Sequence, residues 1–315
     1  MKKKFFKKIS IGLALTLYTS TLAFWVVSGV KTASVLANND HVLTTYANTI
    51  DLGEDRIMFY REVGDEHDET ILFIHGFLGS SYDFVHVMDA LKQSYHVVAV
   101  DLIGFGLSSK PLSYDYGKAN QAETVYDFIQ EKNLSNLTVM AHSMGGEVTI
   151  HVVASYPDLF NDLILIGSAG YVEEGSSSTP PTLPLFVYKE IVQNYYIQRA
   201  FFLTAYSEYE RENKLITFEE FDEMYIVNRT IPPEILRKFS ADNDTMNMTD
   251  ELDTITMPVL LIWGEFDGFI PLSMGVKLQE AFGENATLTV MPSAGHLPFD
   301  TFFEDFMHHV EEFIA

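Results

Sequence analysis

Residues 137–154, LTVMAHSMGGEVTIHVVA, join an apolar run typical of a strand to a run typical of a helix. Ser143 stands at the junction, flanked by the small residues Ala141, Gly145 and Gly146. A sharp strand-to-helix turn needs small neighbours because its backbone is strained, and it lifts the side chain at its apex out of the sheet. The stretch therefore predicts that the Ser143 hydroxyl points at solvent or substrate.

Short apolar runs recur along the rest of the chain, with amphipathic segments between them. They are rich in β-branched residues and apolar on both faces, as parallel strands are when helices cover both sides of a sheet. The pattern predicts an α/β fold with a doubly wound, mostly parallel sheet. The predicted strands are 56–63, 69–76, 95–102, 136–141, 162–169, 257–264 and 286–292, and the predicted helices lie near 82–93, 119–132, 144–156, 273–282 and 300–314.

The interval from Tyr171 to about Leu252 breaks this alternation because it contains no core-like strand. Such an interval is too long for a loop in a compact domain, so we expect an inserted helical cap at 171–252. The sheet domain is then formed by 38–170 and 253–315. We expect most of the aromatic residues of the cap to pack against one another and a few to line a cavity. These aromatic residues are Tyr188, Tyr195, Tyr196, Phe201, Phe202, Tyr206 and Tyr209.

The N-terminus has the pattern of an export signal or a membrane anchor. Five lysines among the first eight residues precede an uncharged run of 22 residues from Ile9 to Val30. A basic end followed by an apolar run of this length predicts a hydrophobic helix with the rest of the chain exported across the membrane. Small residues up to Ala37 offer a cleavage site. Residues 1–37 are therefore predicted to be either a cleaved signal peptide or a retained anchor.

Composition excludes several classes of protein. Hydrophobic residues make up 47% of the chain, which is enough for a sizeable core. There is no cysteine, so the chain has no disulfide framework and no thiolate nucleophile. Six of the 20 Lys and Arg residues lie in residues 1–37, and the other 14 accompany all 44 acidic residues, giving the remainder a net charge of −30. A surface this acidic repels phosphate backbones, so nucleic acid is not an expected partner.

The pentapeptide AHSMG at 141–145 resembles the G-x-S-x-G nucleophile elbow of the α/β-hydrolase family, with Ala141 in place of the first glycine. The resemblance is to the serine esterase and lipase branch and extends over most of residues 50–315. It implies the α/β-hydrolase fold and a serine nucleophile at position 143. The serine excludes relatives of this fold that carry aspartate at the elbow, such as epoxide hydrolases.

A serine hydroxyl becomes nucleophilic only when a base removes its proton and an acid holds that base in the right tautomer. In the family the order along the chain is nucleophile, acid, histidine. By resemblance the histidine is His296, in MPSAGHLPF just after the last predicted strand, and the acid is Asp267, in LLIWGEFDGFIP. Alternative acids in the sequence are Glu265, Asp253 and Asp300.

The segment FIHGFLGSSYDF at 73–84 completes the resemblance. Negative charge that develops on a substrate oxygen needs preorganised N–H donors. The resemblance implies that the backbone N–H groups of Phe77 and Met144 form this oxyanion hole. His75 and Gly76 are expected to shape the loop.

No cofactor or metal ion is expected. Gly104-x-Gly106 follows a predicted strand, but Ser109 replaces the third glycine of a dinucleotide-binding loop and the segment is third in the strand series. No pair of histidines has H-E-x-x-H spacing.

The motifs predict hydrolysis of carboxylic esters with an apolar acyl or alkyl group. A carbon–carbon bond hydrolase with the same triad and a non-catalytic ligand-binding homologue remain alternatives.

Overall fold

The computed structural model describes residues 24, 26–35, 41–171, 182–242 and 249–315. Its centre is an eight-stranded sheet with the order β1-β2-β4-β3-β5-β6-β7-β8. The strands are β1 Ala47–Asp51, β2 Ile57–Val63, β3 Thr70–Ile74, β4 His96–Val100, β5 Leu137–His142, β6 Phe160–Ile166, β7 Val259–Gly264 and β8 Ala286–Met291. β1 and β2 pair antiparallel with their neighbours, and all other pairs are parallel.

Helices cover both faces of the sheet. The side chains of β3 show why, because Leu72 and Ile74 belong to one apolar cluster while Ile71 and Phe73 belong to another on the opposite face. The five predicted helices are all present, with shifted ends. They are α1 Val85–Leu91, α2 Lys118–Glu131, α3 Met144–Ser155, α9 Leu272–Phe282 and α10 Phe303–Ile314. The α/β class with a mostly parallel sheet is confirmed.

The described parts of the segment between β6 and β7 consist of helices joined by turns and short loops and contribute no strand to the sheet. Its longer helices are α4 Leu185–Gln193, α5 Tyr195–Phe202, α6 Glu208–Glu212, α7 Phe218–Asn228 and α8 Pro233–Asp242. Single helical turns occur at His41–Thr44, Thr249–Leu252 and Pro298–Thr301, and 3-10 turns at Ser81–Phe84, Pro157–Leu159, Leu203–Ala205 and Gly283–Asn285. We refer to residues 182–242 as the helical insertion.

Most of the predicted N-terminal hydrophobic helix lies outside the described residues. Residues 26–35 are helical and pack against the insertion, where Lys31 Nζ lies 2.8 Å from the Asp222 carboxylate and the Thr32 and Tyr225 hydroxyls are 2.8 Å apart. Val35 is buried in an apolar cluster with Tyr195. Within the described ranges we find no helix that combines the length and the apolar character needed for a membrane span.

Candidate active site

Ser143 occupies the turn between β5 and α3, as predicted. Its backbone has φ 55° and ψ −124°, a combination that non-glycine residues rarely adopt. The turn is held by its own hydrogen bonds. The Ser143 N–H donates to the carbonyl oxygen of Ile166, and the Ser143 carbonyl accepts from the N–H groups of Gly146 and Ala169, all at 3.0 Å. The bonds with Ile166 and Ala169 fix the strained residue to the end of β6 and the loop after it, and the bond from Gly146 joins it to the first turn of α3.

Gly145 is required by the close approach of α3 to the end of β3. A Cβ at this position would lie 2.5 Å from the carbonyl oxygens of both Ile74 and His75. Any side chain there would push the first turn of α3 away from the sheet. The small residue that the pentapeptide carries therefore allows the N-terminus of α3 to sit directly against the carboxyl end of β3.

His296 and Asp267 form a hydrogen-bonded pair at the neighbouring strand ends. His296 Nδ1 lies 2.7 Å from Asp267 Oδ2, and the two side chains are 6% and 0% exposed. The other carboxylate oxygen, Oδ1, accepts from the N–H groups of Phe269 and Ile270 at 2.9 Å each. Because an ionised carboxylate only accepts, Nδ1 carries the hydrogen, and the neutral imidazole has its lone pair on Nε2.

The alternative acids lie elsewhere. Glu265 Oε2 accepts from the N–H of Ser293 at 3.0 Å, and Asp300 Oδ2 accepts from the Tyr206 hydroxyl at 2.9 Å. Asp253 follows the helical turn at Thr249–Leu252. Of the four carboxylates considered from the sequence, Asp267 is the one that contacts the imidazole of His296.

Two buried histidines shape the site from beneath. His142 donates from Nε2 to the carbonyl oxygen of His296 at 3.0 Å, and His75 accepts at Nε2 from the Leu102 N–H at 3.0 Å while Nδ1 donates to the carbonyl of Gly76 at 2.7 Å. Burial lowers the pKa of His75, and burial together with the nearby His296 imidazole lowers the pKa of His142 well below its ordinary value. Both side chains are therefore neutral hydrogen-bonding groups at neutral pH.

A cavity of about 270 Å³ opens above Ser143, between the strand ends and the insertion. His296 and Phe77 line the same cavity. The insertion contributes Gln198, Phe201, Phe202, Ala205, Glu223, Met224 and Asn228. Phe201 and Phe202, two of the aromatic residues predicted to be candidates for a cavity lining, thus reach it, whereas Tyr195 packs in the apolar cluster of the insertion.

A second, almost wholly apolar groove continues from this cavity and shares Phe77, Leu78 and Phe201 with it. Its remaining lining residues come from the insertion and its entry. They are Leu183, Tyr188, Ile191, Ile197, Leu236 and Ser240. The two spaces together could accommodate an extended apolar group whose polar end lies at Ser143.

Of the two residues predicted to donate N–H groups, Met144 directly follows Ser143 and Phe77 lines the same cavity as Ser143. Met144 is the first residue of α3, so its N–H has no partner within the helix, and Phe77 is the third residue after β3. The Phe77 ring stacks on Phe239 with centroids 5.3 Å apart.

Among the residues that the structure describes, no group of three or more His, Asp or Glu side chains is arranged to hold a metal ion.

Sequence analysis did not identify Asp83 and Glu223, two acidic residues of the cavity lining, and considered the third, Asp300, only as an alternative acid partner of the histidine. Asp83 is partly buried, and its pKa is raised to about 7 because removal from water disfavours its charged form. The pattern Ser80-x-x-Asp83 does signal a capping box, which the structure contains, with Ser80 N–H donating to Asp83 Oδ2 at 3.0 Å. That pattern does not indicate that the carboxyl group reaches a cavity.

Comparison with known proteins places this architecture in a large group. The family model described as alpha/beta hydrolase fold matches residues 69–303. Lipase 1 of Psychrobacter immobilis is 30% identical over 76% of this chain and 75% of its own length. Lipase 3 of a Moraxella species is 29% identical over 76% of each chain. The solved structure of a meta-cleavage product hydrolase from Pseudomonas fluorescens superposes with a TM-score of 0.68, at 20% identity over 85% of this chain and 97% of that one.

Proposed function

The chain belongs to the α/β-hydrolase family, and we propose that it is a serine hydrolase that cleaves carboxylic esters through an acyl-enzyme intermediate. One observation carries the proposal. Ser143 stands on a strained turn and lines the same cavity as a histidine whose Nδ1 is 2.7 Å from a buried carboxylate. The two lipases that resemble the chain support hydrolysis of esters.

In the proposed reaction, Nε2 of His296 takes the proton of Ser143 as Oγ bonds to the carbonyl carbon of the ester. The carbonyl oxygen gains negative charge and is met by the N–H groups of Phe77 and Met144. Collapse of the tetrahedral species breaks the bond to the alcohol oxygen, which takes the proton from the imidazolium. Water then repeats the sequence on the acyl-enzyme and releases the carboxylic acid.

The apolar groove supports a preference for an apolar acyl or alkyl group. Its lining, which includes Ile191, Ile197 and Leu236, offers no charged side chain to a substrate. Burying each additional methylene of a chain contributes about 0.8 kcal/mol, so longer chains are favoured until the groove is filled. Rates on p-nitrophenyl acetate, butyrate and laurate measure this preference.

Labelling with a fluorophosphonate probe, combined with p-nitrophenyl butyrate hydrolysis, tests the nucleophile. Wild-type protein is expected to be labelled and active, and Ser143→Ala to lose both properties. Ser168→Ala is the matched control, because Ser168 is a buried serine next to Gly146 of the elbow and its hydroxyl donates to the carbonyl of Ala169 at 2.6 Å. A wild-type protein that is neither labelled nor active on any of the three esters would instead support a non-catalytic binding protein.

We also propose that the protein is exported and stays attached through its N-terminal segment. The contacts of Lys31, Thr32 and Val35 with the insertion support this, because cleavage after Ala37 would remove them. Fractionation of cells that express the chain with a C-terminal tag, followed by mass spectrometry of its N-terminus, tests the proposal. We expect the membrane fraction to hold a chain that retains residues 26–35. A soluble product that begins at Asn38 would contradict it.

A further inference from the structure

The helical insertion is joined to the loop that carries His296 by a set of hydrogen bonds. The N–H of His296 donates to the carbonyl oxygen of Ala205 at 2.6 Å, and the Ser207 hydroxyl donates to the carbonyl of Ser293, also at 2.6 Å. The Tyr206 hydroxyl donates to Asp300 at 2.9 Å. Residues 205–207 thus run along the histidine loop and hold it by its backbone.

Glu210 is the buried centre of this contact. Its side chain is wholly inaccessible, and Oε2 accepts from the N–H of Ser207 at 2.5 Å and from the N–H of Gly295 at 3.0 Å. The other oxygen, Oε1, accepts from the hydroxyl of Thr301. One carboxylate therefore binds the start of its own helix, the residue before His296, and the helical turn after it.

No side chain fits at position 295 unless the neighbouring atoms move. A Cβ on Gly295 would lie 2.4 Å from the carbonyl oxygen of Ala205 and 2.8 Å from Glu210 Oε2. On its other side, the Gly295 carbonyl oxygen would lie 1.9 Å from a Cβ placed on Gly264, at the end of β7. The residue before His296 is thus confined between the insertion and the sheet.

We propose that Glu210 is a positioning residue for His296: it fixes the histidine loop to the helical insertion and so aims the imidazole at Ser143. This rests on the proposed function, in which His296 is the base. Glu210 does not touch the cavity, so it acts only through the backbone of Gly295 and the hydroxyl of Thr301. A buried acceptor with three converging donors is rigid because each donor would be left unsatisfied if the carboxylate moved.

Two substitutions of Glu210 distinguish a role in positioning the histidine loop from a requirement for negative charge at this residue. Glu210→Ala removes the acceptor for all three donors. Glu210→Gln keeps one oxygen for the two N–H groups, and its amide can donate to the Thr301 hydroxyl, which rotates to accept. Thr301→Val removes a single donor and serves as the milder variant should Glu210→Ala fail to fold.

Asn194→Ala is the matched control. Asn194 is a buried polar residue of the same insertion that caps α5 by accepting from the N–H groups of Tyr196 and Ile197, and it does not line the cavity. Its loss lowers the stability of the insertion without touching the histidine loop. Thermal unfolding measures the stability of each variant, so that the activities of Asn194→Ala and Glu210→Ala are compared under conditions in which both are folded.

The experiment measures kcat and KM for p-nitrophenyl butyrate and the rate of fluorophosphonate labelling. Glu210→Ala is expected to lower kcat and the labelling rate by about 10- to 100-fold with KM nearly unchanged. The reason is that a displacement of the His296 imidazole by about 1 Å reduces the reaction rate by as much as about 100-fold. Thr301→Val should fall between it and wild type, and Glu210→Gln and Asn194→Ala should stay close to wild type. Equal loss in Asn194→Ala, or undiminished kcat in Glu210→Ala, would overturn the proposal.

A measurement that does not depend on turnover tests the positioning role of Glu210 separately from the proposed esterase function. The proton that His296 Nδ1 shares with Asp267 should give a downfield NMR signal, and the amides of residues 293–301 should be protected from hydrogen exchange. Glu210→Ala should broaden the signal and raise the exchange rates, whereas Glu210→Gln should preserve both. If wild type is inactive and unlabelled, the proposed function fails while these signals still decide whether Glu210 positions the loop.

Discussion

Asp267 and Glu210 are two buried carboxylates that reach the same histidine loop from different parts of the chain. Asp267 follows β7 in the sheet domain, and Glu210 lies in the first turn of α6 in the insertion. Each accepts from backbone N–H groups two or three residues away, which fixes its orientation. Each then uses the remaining acceptor capacity on the loop, Asp267 at the imidazole of His296 and Glu210 at the N–H of Gly295.

The difference lies in what each carboxylate can stabilise. Asp267 contacts the ring that gains a proton in the proposed reaction, so it acts on the tautomer and on the developing charge. Glu210 contacts only the backbone and a hydroxyl group, so it acts on where the ring is held. An electrostatic partner of a reacting group should therefore matter more than a carboxylate that positions the same group from behind.

The largest effect is expected from Asp267→Asn. An amide whose oxygen replaces Oδ1 keeps the bonds from Phe269 and Ile270 but presents an N–H to Nδ1, which favours the wrong tautomer. We expect kcat to fall by about 10³- to 10⁴-fold with little change in the fold. Steady-state kinetics on p-nitrophenyl butyrate measure this. A loss no greater than that of Glu210→Ala would abolish the distinction between the two carboxylates.

A smaller loss is expected when one oxyanion donor is removed by Phe77→Pro. Proline lacks the backbone N–H, and deletion of one such donor costs about 10²- to 10³-fold in kcat. Phe77→Ala is the control, since it removes the ring that stacks on Phe239 but keeps the N–H group. Circular dichroism of both variants checks that the loop change leaves the fold intact. If the two variants lose the same activity, the ring rather than the N–H is what matters at this position.

The same contrast explains how much could be predicted from the sequence. Ser143 and Asp267 both follow buried strands that their apolar runs made recognisable, and the resemblance of the flanking motifs to the hydrolase family identified them as nucleophile and acid. β1 was missed because its residues are mostly exposed and pair only with β2. Such an edge strand is exposed and needs no apolar run, so its sequence lacks the pattern that predicts the other strands.

Glu210 could not be predicted from the sequence. The pattern Ser207-x-x-Glu210 signals a capping box, and the structure contains one. That pattern is local, whereas the partners that give the carboxylate its proposed role, Gly295 and Thr301, lie 85 and 91 residues further along the chain. Nothing within the insertion indicates which surface of the sheet domain it contacts.

Asp83 is a partly buried carboxyl group beside the cavity, and within the described residues it has fewer hydrogen-bond donors than Asp267 or Glu210. Asp83 accepts from the N–H of Ser80 at 3.0 Å and from its hydroxyl at 3.5 Å, and burial raises the pKa of Asp83 from 3.8 to about 7. The folded protein therefore binds a proton here that the unfolded chain releases, so this group lowers the free energy of unfolding as pH rises from about 4 to 7. Below pH 4 both states are protonated and the contribution is fully present. Above pH 7 it is lost.

Asp83→Asn removes this titration while an amide oxygen can still accept from the Ser80 N–H. The stability of the variant relative to wild type should rise between pH 4 and 7, by at most about 1.4 kcal/mol per pH unit, and then stay constant. Urea unfolding at pH 4, 5.5, 7 and 8.5 measures the difference. A stability difference between variant and wild type that stays constant from pH 4 to 8.5 would contradict the raised pKa of Asp83.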